Sequence, residues 1–384
     1  MVPYTSFMYF GLSAGLLLPS IVLGLLGKSK SLKWYNFVLT LGFICIMYAG
    51  TQRQLIFLII YTVWQWLLIK GYDLLRRKHS GDWIYISAVS LSILPLIIVK
   101  VLAIQKPIET FGFLGISYLT FKCVQMLIEM RDGQIKAISI WNYLSFLWFF
   151  PTITSGPIDR YRRYVQDTEQ TMPKNTYKEL LYGGFHRIFR GFLYKFIIAY
   201  LIKTYILTLP LLKMNTAAGI WCYMYAYSFY LFFDFAGYSA FAIGMSYLLG
   251  IRTPENFRLP FISRNIKDFW NRWHMTLSFW LRDYVYMRFV LMVARHKWIR
   301  NRYILSSAGY AVLFLLMGLW HGLELHYIIY GLYHACLMIG FDGIERLNKR
   351  FAWWKDHWAL RCVSTVLTFH FVCFGFLIFS GRLF

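Results

Sequence analysis

The stretch from Trp83 to Ala103, WIYISAVSLSILPLIIVKVLA, decides the fold, because it is almost entirely apolar and Lys100 is its only charged residue. A helix needs about 20 such residues to cross the hydrocarbon core of a bilayer. Comparable stretches recur along the chain, at about 6–27, 34–50, 55–70, 111–130, 304–320, 323–343 and 362–380. The sequence therefore predicts an all-helical protein that crosses the membrane many times.

The overall composition supports this class. Of the 384 residues, 58% are hydrophobic and only 15% are charged, whereas about a quarter of a soluble domain is charged. The first apolar stretch has no basic n-region and no small-residue cleavage site, so we interpret it as a retained helix. By the length criterion we expect about ten or eleven transmembrane helices. They form one domain, 1–384, with N-terminal helices in 1–139, a core in 140–345 and a C-terminal helix in 346–384.

The formal net charge of +23 comes from basic residues that lie between the apolar stretches. This distribution follows the positive-inside rule. It predicts a basic cytoplasmic face that attracts anionic lipids, not nucleic acid, and an acidic soluble partner would be drawn to the same face. The six cysteines lie singly in apolar stretches, and this spacing indicates neither a disulfide framework nor a metal site.

Three segments depart from simple spans. Residues 140–154 are short and lead into Gly156, Pro157 and a basic loop; we expect a re-entrant or broken helix, which needs protein or a water-filled cavity around it. Residues 216–250 are a long aromatic stretch broken by Asp234 and Gly237. Residues 251–303 are too polar to span and too aromatic for a loop, so we expect short helices embedded at or below the cytoplasmic surface.

Two histidines in the apolar C-terminal half indicate a catalytic function. His321 lies in GLWHG (318–322), at the far end of a predicted span, and His274 lies in an aromatic patch. A polar side chain is costly in hydrocarbon, and histidine is the side chain best suited to moving protons near neutral pH. The alternative for His321 is a single hydrogen bond to a carbonyl. Glu324 is expected to share its helical face and fix the imidazole tautomer.

Charged residues surround these histidines. Asp234 lies in an aromatic span and needs a partner, for which the arginines of 258–282 are the candidates. Arg272 and Arg282 flank His274, and the alternative for this patch is an interfacial aromatic belt with snorkelling arginines. The spacing of the nearby histidines is not that of a zinc-binding helix, so no metal site is predicted.

The segment 283–297, DYVYMRFVLMVARHK, has an apolar body and basic ends. Such a helix usually rests in the lipid interface. The alternative is that it docks an acidic helical protein. Its apolar contacts would be Val290, Leu291 and Met292, and its steering charges Arg288 and Arg295.

Four motifs in the C-terminal half together resemble those of the membrane-bound O-acyltransferase (MBOAT) family: FDFAGYS (233–239), PENF (254–257), FWNRWH (269–274) and GLWHG (318–322). FLGISYLTF (113–121) and SGPIDRY (155–161) extend the resemblance into the N-terminal half, where it is closest to the members that serve teichoic acid D-alanylation in Gram-positive bacteria.

The resemblance implies a multi-pass cell-membrane enzyme with a ring of helices around a central tunnel, in which an acyl thioester meets an acceptor from the other side. His321 would be the general base and His274 a second catalytic position. Asp234, Arg272, Arg282 and Glu324 would be polar tunnel-lining or structural residues. The donor would be D-alanine on the phosphopantetheine arm of an acidic cytosolic carrier protein, so no bound cofactor is expected. The acceptor would be a hydroxyl of teichoic (lipoteichoic) acid or an intermediate, with further membrane proteins of the pathway as partners.

Three alternatives remain open. The alginate O-acetylation proteins share the C-terminal motifs and would use an acetyl donor. A transporter or flippase would also have broken helices and charges near the midplane, although the sequence has no two related halves. A non-catalytic receptor would only anchor the carrier protein.

Overall fold

The computed structural model describes residues 2–79, 81–105, 112–352 and 357–384. Residue 111, the first of a predicted span, and residues 353–356 of the basic stretch 346–361 lie outside the described residues. Those that are described form helices and loops without a strand, which confirms the all-helical class. They divide into two compact units, Met1–Phe192 with Gly237–Pro254, and Leu193–Ala236 with Glu255–Phe384. The division at 139 and 345 drawn from the sequence stays a prediction.

The first unit contains the helices of the N-terminal half, which are α1 (Phe7–Leu25), α2 (Ser29–Tyr48), α3 (Gln52–Lys78), α4 (Asp82–Gln105), α5 (Ile116–Arg131), α6 (Ile140–Trp148), α7 (Tyr161–Glu169) and α8 (Lys174–Gly191). A short 3-10 turn, Phe150–Thr152, follows α6. The end of α10 (Ala217–Leu248) also belongs to this unit.

The second unit contains the first part of α10 and the C-terminal helices, which are α9 (Pro210–Lys213), α11 (Ile266–Trp270), α12 (Met275–Leu281), α13 (Met287–Arg295), α14 (Arg302–His321), α15 (Leu325–Phe351) and α16 (Trp358–Phe379). Its less regular turns are the π-helical segments Phe192–Ala199, Ile202–Ile206 and Arg282–Tyr286 and the 3-10 turn Pro260–Ile262.

In the described residues, seven helices are long and apolar enough to cross a membrane: α1, α3, α4, α10, α14, α15 and α16. The apolar part of α2, Leu32–Tyr48, is shorter. This count is below the ten or eleven expected. The described part of the predicted span 111–130 contains the 16-residue α5, and 140–154 folds as an interrupted helix. The predicted central tunnel stays a prediction.

The broken helix predicted at 140–154 is present as α6. Its nine residues extend about 14 Å, less than half of a hydrocarbon core of about 30 Å. The buried Lys122 side chain lies at its end, where Nζ donates to the Phe146 carbonyl at 2.9 Å and to Thr152 Oγ1 at 3.4 Å. The broken helix persists because this ammonium group satisfies a carbonyl left without a helical partner.

Two of the three irregular segments fold largely as expected. Residues 251–303 contain the short helices α11, α12 and α13, although their depth in the membrane stays a prediction. The aromatic stretch 216–250 is one continuous helix, α10, which passes through Asp234 and Gly237 without a break. Gly237 does not interrupt the helix because a single glycine costs a helix only about 1 kcal/mol.

Glycines determine how α14 and α15 cross. A Cβ on Gly318 would overlap the carbonyl oxygen of Tyr327, and a Cβ on Gly331 would overlap that of Phe314. The two backbones therefore touch directly, which only glycine permits. This contact fixes the C-terminal end of α14, where His321 lies.

Candidate active site

His321 is the last residue of α14. Gly322 continues in an extended conformation and donates its N–H to the Gly318 carbonyl at 3.2 Å, which ends the helix. The imidazole is half-buried, and its ring lies 4.7 Å from Trp320 and 5.0 Å from Phe379, measured between ring centroids. Aromatic rings from α14 and α16 thus hold the imidazole at a helix end.

His274 directly precedes α12 and has a left-handed backbone conformation, φ 41°. This conformation costs a non-glycine residue about 1 kcal/mol or more and persists only where surrounding contacts enforce it. Asn256 supplies those contacts. Its carbonyl accepts the N–H of Met275 at 2.8 Å, and its Oδ1 accepts the hydroxyl of Thr276 at 2.6 Å.

The His274 side chain is 4% exposed and lies edge-on to the Phe235 ring, 4.7 Å between centroids. Within the described part of the chain, its Nε2 is buried without a hydrogen-bond partner. A buried nitrogen without a partner costs about 1–3 kcal/mol. His274 is also close enough to His321 for the charges of the two rings to interact. The structure thus brings together the two histidines selected from the sequence, and their catalytic roles stay predictions.

Asp234 has a different partner from the one expected. Its Oδ1 lies 2.5 Å from Nζ of Lys195, which belongs to the π-helical segment Phe192–Ala199. The predicted pairing with the arginines of 258–282 is wrong, because this segment packs along α10, with the Tyr194 and Phe233 rings 5.2 Å apart.

Arg272 and Arg282 make short-range ion pairs. Arg272 Nε donates to Asp268 Oδ1 at 2.7 Å, and the backbone carbonyl of Arg272 accepts the N–H of Arg258. This arginine therefore helps to fold the loop that carries His274. Arg282 pairs with the neighbouring Asp283 and lies over the Phe279 ring. A role of either arginine in lining a substrate tunnel stays a prediction.

Glu324 does not share a helical face with His321, so that expectation is wrong. The helix ends at His321, and Glu324 is the N-cap residue of α15, with an exposed side chain. Its carboxylate lies over Gly322, where an added Cβ would meet Oε2. The contact between α14 and α15 fixes this position of Glu324. The separation of three residues between His321 and Glu324 in the sequence did not reveal it.

The predicted docking segment contains the surface helix α13. Leu291 and Met292 are 59% and 45% exposed, and Arg295 is exposed as well. Val290 is half-buried against Gly309 of α14, and Arg288 is also half-buried. The structure therefore favours Leu291 and Met292 over Val290 as docking contacts. Trp298, which follows α13 and is 66% exposed, was not identified from the sequence.

An apolar cavity of about 290 Å³ adjoins α11, α12 and α14. Arg282 and Tyr286 line it, and so does Met317, which precedes His321 by one helical turn. Another wall is Trp270, whose buried Nε1 has no hydrogen-bond partner in the part of the chain that the structure describes. The cavity therefore has the apolar walls typical of small-molecule sites, and one of its wall residues carries a buried N–H without a partner.

Two further residues contribute to the site without having been predicted from the sequence. Asn256 belongs to the motif PENF and Trp270 to FWNRWH. The role of Asn256 depends on its hydrogen bonds to Met275 and Thr276, and that of Trp270 on its place in the cavity wall. Among the described residues, no three His, Cys, Asp or Glu side chains lie together as a metal-binding group.

Comparison with known proteins gives consistent matches over the chain. The family model for MBOAT, the membrane-bound O-acyltransferase family, matches residues 23–382. The chain is 51% identical to a teichoic acid D-alanyltransferase of Bacillus subtilis, over 100% of this chain and 98% of the relative. It is 42% identical to a teichoic acid D-alanyltransferase of Lacticaseibacillus rhamnosus, over 99% and 97%. A probable alginate O-acetylase of Pseudomonas fluorescens is 30% identical, over 84% of this chain and 62% of the relative.

Proposed function

The chain belongs to the membrane-bound O-acyltransferase family, and on that premise we propose that it transfers D-alanine to teichoic acid in the cell membrane. Membership makes it a membrane-bound acyltransferase, which argues against a transporter or a non-catalytic receptor. Its substrate is inferred from the relatives named as teichoic acid D-alanyltransferases, which align along its whole length.

Alginate-type acetyl transfer is the second candidate. The alginate relatives have lower identity, and about two fifths of the Pseudomonas fluorescens protein has no counterpart in this chain. D-alanine is therefore the better-supported acyl group, and the donor is proposed to be a D-alanyl thioester on the phosphopantetheine arm of a carrier protein. The chain itself needs no bound cofactor for this reaction.

The proximity of His274 and His321 supports the proposed chemistry. The His321 imidazole takes the proton from the acceptor hydroxyl, and the oxygen attacks the thioester carbonyl. The carbon–sulfur bond then breaks, and the phosphopantetheine sulfur leaves as a thiol after taking up that proton. Such positioned proton transfer contributes about 10²–10⁴-fold to a rate.

His274 is proposed to hold the thioester carbonyl. Its buried Nε2 has no partner among the described residues, and in the tautomer with a proton on Nε2 it donates a hydrogen bond. A donor of this kind stabilises the negative charge that develops on the carbonyl oxygen. Because Asn256 fixes the backbone at His274, the donor is oriented before the substrate arrives.

The carrier protein is proposed to dock on α13. Its exposed Leu291 and Met292 provide apolar contacts, and Arg295 attracts an acidic surface. The apolar cavity begins at Arg282 and Tyr286, beside α13, and reaches Met317, one turn before His321. From Tyr310 to His321, α14 rises about 16 Å. We infer that the phosphopantetheine arm follows this wall and that its amide carbonyls use the Trp270 N–H.

The experiment that tests the proposed function is reconstitution of the protein in vesicles with a carrier protein that bears labelled D-alanine. We expect the label to appear on teichoic acid with the wild-type protein. A parallel reaction with a labelled acetyl donor tests the second candidate. Transfer of acetyl and not of D-alanine would overturn the proposed substrate, and transfer of neither would overturn the proposed reaction.

A further inference from the structure

A second site lies between α15 and α16, and neither His274 nor His321 lines it. It is an open groove of about 460 Å³ whose walls are mostly apolar, with Ser364 and Thr368 of α16 among the polar lining residues. Its apolar lining includes Cys336, Gly340 and Ile344 on α15, and Leu360, Leu367 and Phe371 on α16. No step of the proposed acyl transfer uses this groove.

The dimensions of the groove suit an acyl chain. From Leu360 to Phe371, α16 rises about 16 Å, roughly half the thickness of a hydrocarbon core, which is the depth of one leaflet. Leu367 is 52% exposed and Phe371 is 50% exposed. Both helices are apolar enough to cross a membrane, so these side chains face lipid.

A cation borders the groove. Arg264 contributes to its lining, and within the described ranges its guanidinium makes neither an ion pair nor a hydrogen bond. The adjacent α11 is fixed in place, because Lys267 Nζ lies 2.6 Å from Asp342 Oδ1 and 2.9 Å from Glu345 Oε2. Arg264 therefore lies near the C-terminal end of α15, next to the basic stretch that begins at Arg346.

We propose that this groove binds an anionic glycerophospholipid, with one acyl chain between α15 and α16 and the phosphate against Arg264. A free guanidinium beside an apolar groove matches the charge and the shape of such a lipid, since guanidinium groups bind phosphate in a planar, bidentate manner. A zwitterionic lipid fills the groove equally well but gains less from Arg264. The site does not depend on the proposed function.

The glycines of α15 provide a matched pair of variants. A Cβ added at Gly340, inside the groove, would meet no atom within 4 Å, and the same is true at Gly343, which does not line the groove. The substitution Gly340→Leu thus adds an apolar side chain to the groove, and its Cβ meets no atom. Gly343→Leu makes the same chemical change on the same helix and serves as the control.

The test uses the whole protein in nanodiscs that contain phosphatidylglycerol or phosphatidylcholine with a photoactivatable diazirine in one acyl chain. After irradiation, labelled peptides are mapped by mass spectrometry. In the wild-type protein we expect residues 336–344 and 360–371 to be labelled by phosphatidylglycerol about fivefold more than by phosphatidylcholine at equal mole fraction, from the usual contribution of one basic residue near a membrane.

The variants test separately the binding of the acyl chain in the groove and the binding of the phosphate by Arg264. Arg264→Gln is expected to remove the fivefold preference and keep the labelling by phosphatidylcholine. Gly340→Leu is expected to reduce labelling by both lipids, and Gly343→Leu to leave both unchanged. Equal labelling of the wild-type protein by the two lipids, or equal labelling of the two leucine variants, would overturn the site. Either result leaves the proposed acyl transfer unaffected.

Discussion

The side-chain oxygen of Asn256 accepts the hydroxyl of Thr276 at 2.6 Å, two residues after His274. Both side chains are buried. The bond joins the loop before α11 to the first turn of α12, and the strained backbone of His274 lies between them. Asn256 is therefore a positioning residue in our proposal, since it acts on His274 and not on the substrate.

The first prediction follows from this bond. Asn256→Ala removes the side-chain oxygen that accepts the buried Thr276 hydroxyl, and we expect it to lower the free energy of unfolding by about 1–3 kcal/mol. We also expect kcat for D-alanyl transfer to fall, with little change in KM for the carrier protein. The double variant Asn256→Ala/Thr276→Val removes both partners and should recover stability but not kcat. If the double variant recovers both stability and kcat, Asn256 has only a structural role.

The second prediction concerns the proposed base. His321→Ala is expected to reduce D-alanyl transfer by about 10²–10⁴-fold, while the protein still inserts in the membrane and still binds the carrier protein. The matched control is His326→Ala, a second half-buried histidine five residues later, which should retain activity. Transfer by His321→Ala at the wild-type rate would exclude His321 as the base.

The third prediction tests the cavity through the unpartnered N–H of Trp270. Trp270→Phe removes this donor and keeps an aromatic ring. Because we infer that this N–H binds the donor arm, we expect KM for the carrier protein to rise severalfold and kcat to change little. An unchanged KM together with a stabilised fold, as results from loss of a buried unsatisfied donor, would mean that the N–H binds nothing. Steady-state kinetics together with thermal unfolding in detergent distinguishes these outcomes.

The fourth prediction concerns the ion pair of Lys195 and Asp234. The Lys195 side chain is 15% exposed and that of Asp234 is 39% exposed, so the protein buries the pair only in part. We expect Lys195→Met to destabilise the protein and Lys195→Met/Asp234→Leu to be less harmful than the sum of the single changes, with a coupling free energy of about 1 kcal/mol. Additive effects in a double-mutant cycle of unfolding would mean that the two side chains do not interact.

Hydropathy predicted most of the fold because it is a local property. The long spans, including α14, α15 and α16, were located to within a few residues of their ends, apart from the C-terminal extensions of α3 to Lys78 and of α15 to Phe351, because each depends only on its own apolar run. Lys195 was not identified as the partner of Asp234, since a π-helical segment shifts which residues face α10. The position of Glu324 was wrong for a similar reason, since α14 ends where Gly318 and Gly331 bring two helices into contact.

The candidate site was predicted in part. His274 and His321 were selected as polar residues in apolar surroundings, and the structure places them near each other. Asn256 was missed because its role depends on bonds to residues about 20 positions away. On α13 the apolar residues were identified but not which of them are exposed. That depends on the contact of Val290 with Gly309 of α14, which fixes the face of α13 that is buried.

The last prediction uses that exposure to test docking of the carrier protein. Leu291→Asp places a negative charge on the exposed face of α13, where it repels an acidic carrier and removes an apolar contact. We expect the dissociation constant of the carrier protein to rise tenfold or more, by the usual range for an interface residue that contributes above about 1.4 kcal/mol. Leu291→Met keeps an apolar side chain of similar volume and should bind normally. Val290→Asp is a poorer test, because Val290 packs against Gly309 and the substitution also disturbs α14. If Leu291→Asp and Leu291→Met bind the carrier protein equally well by biolayer interferometry, the carrier docks elsewhere.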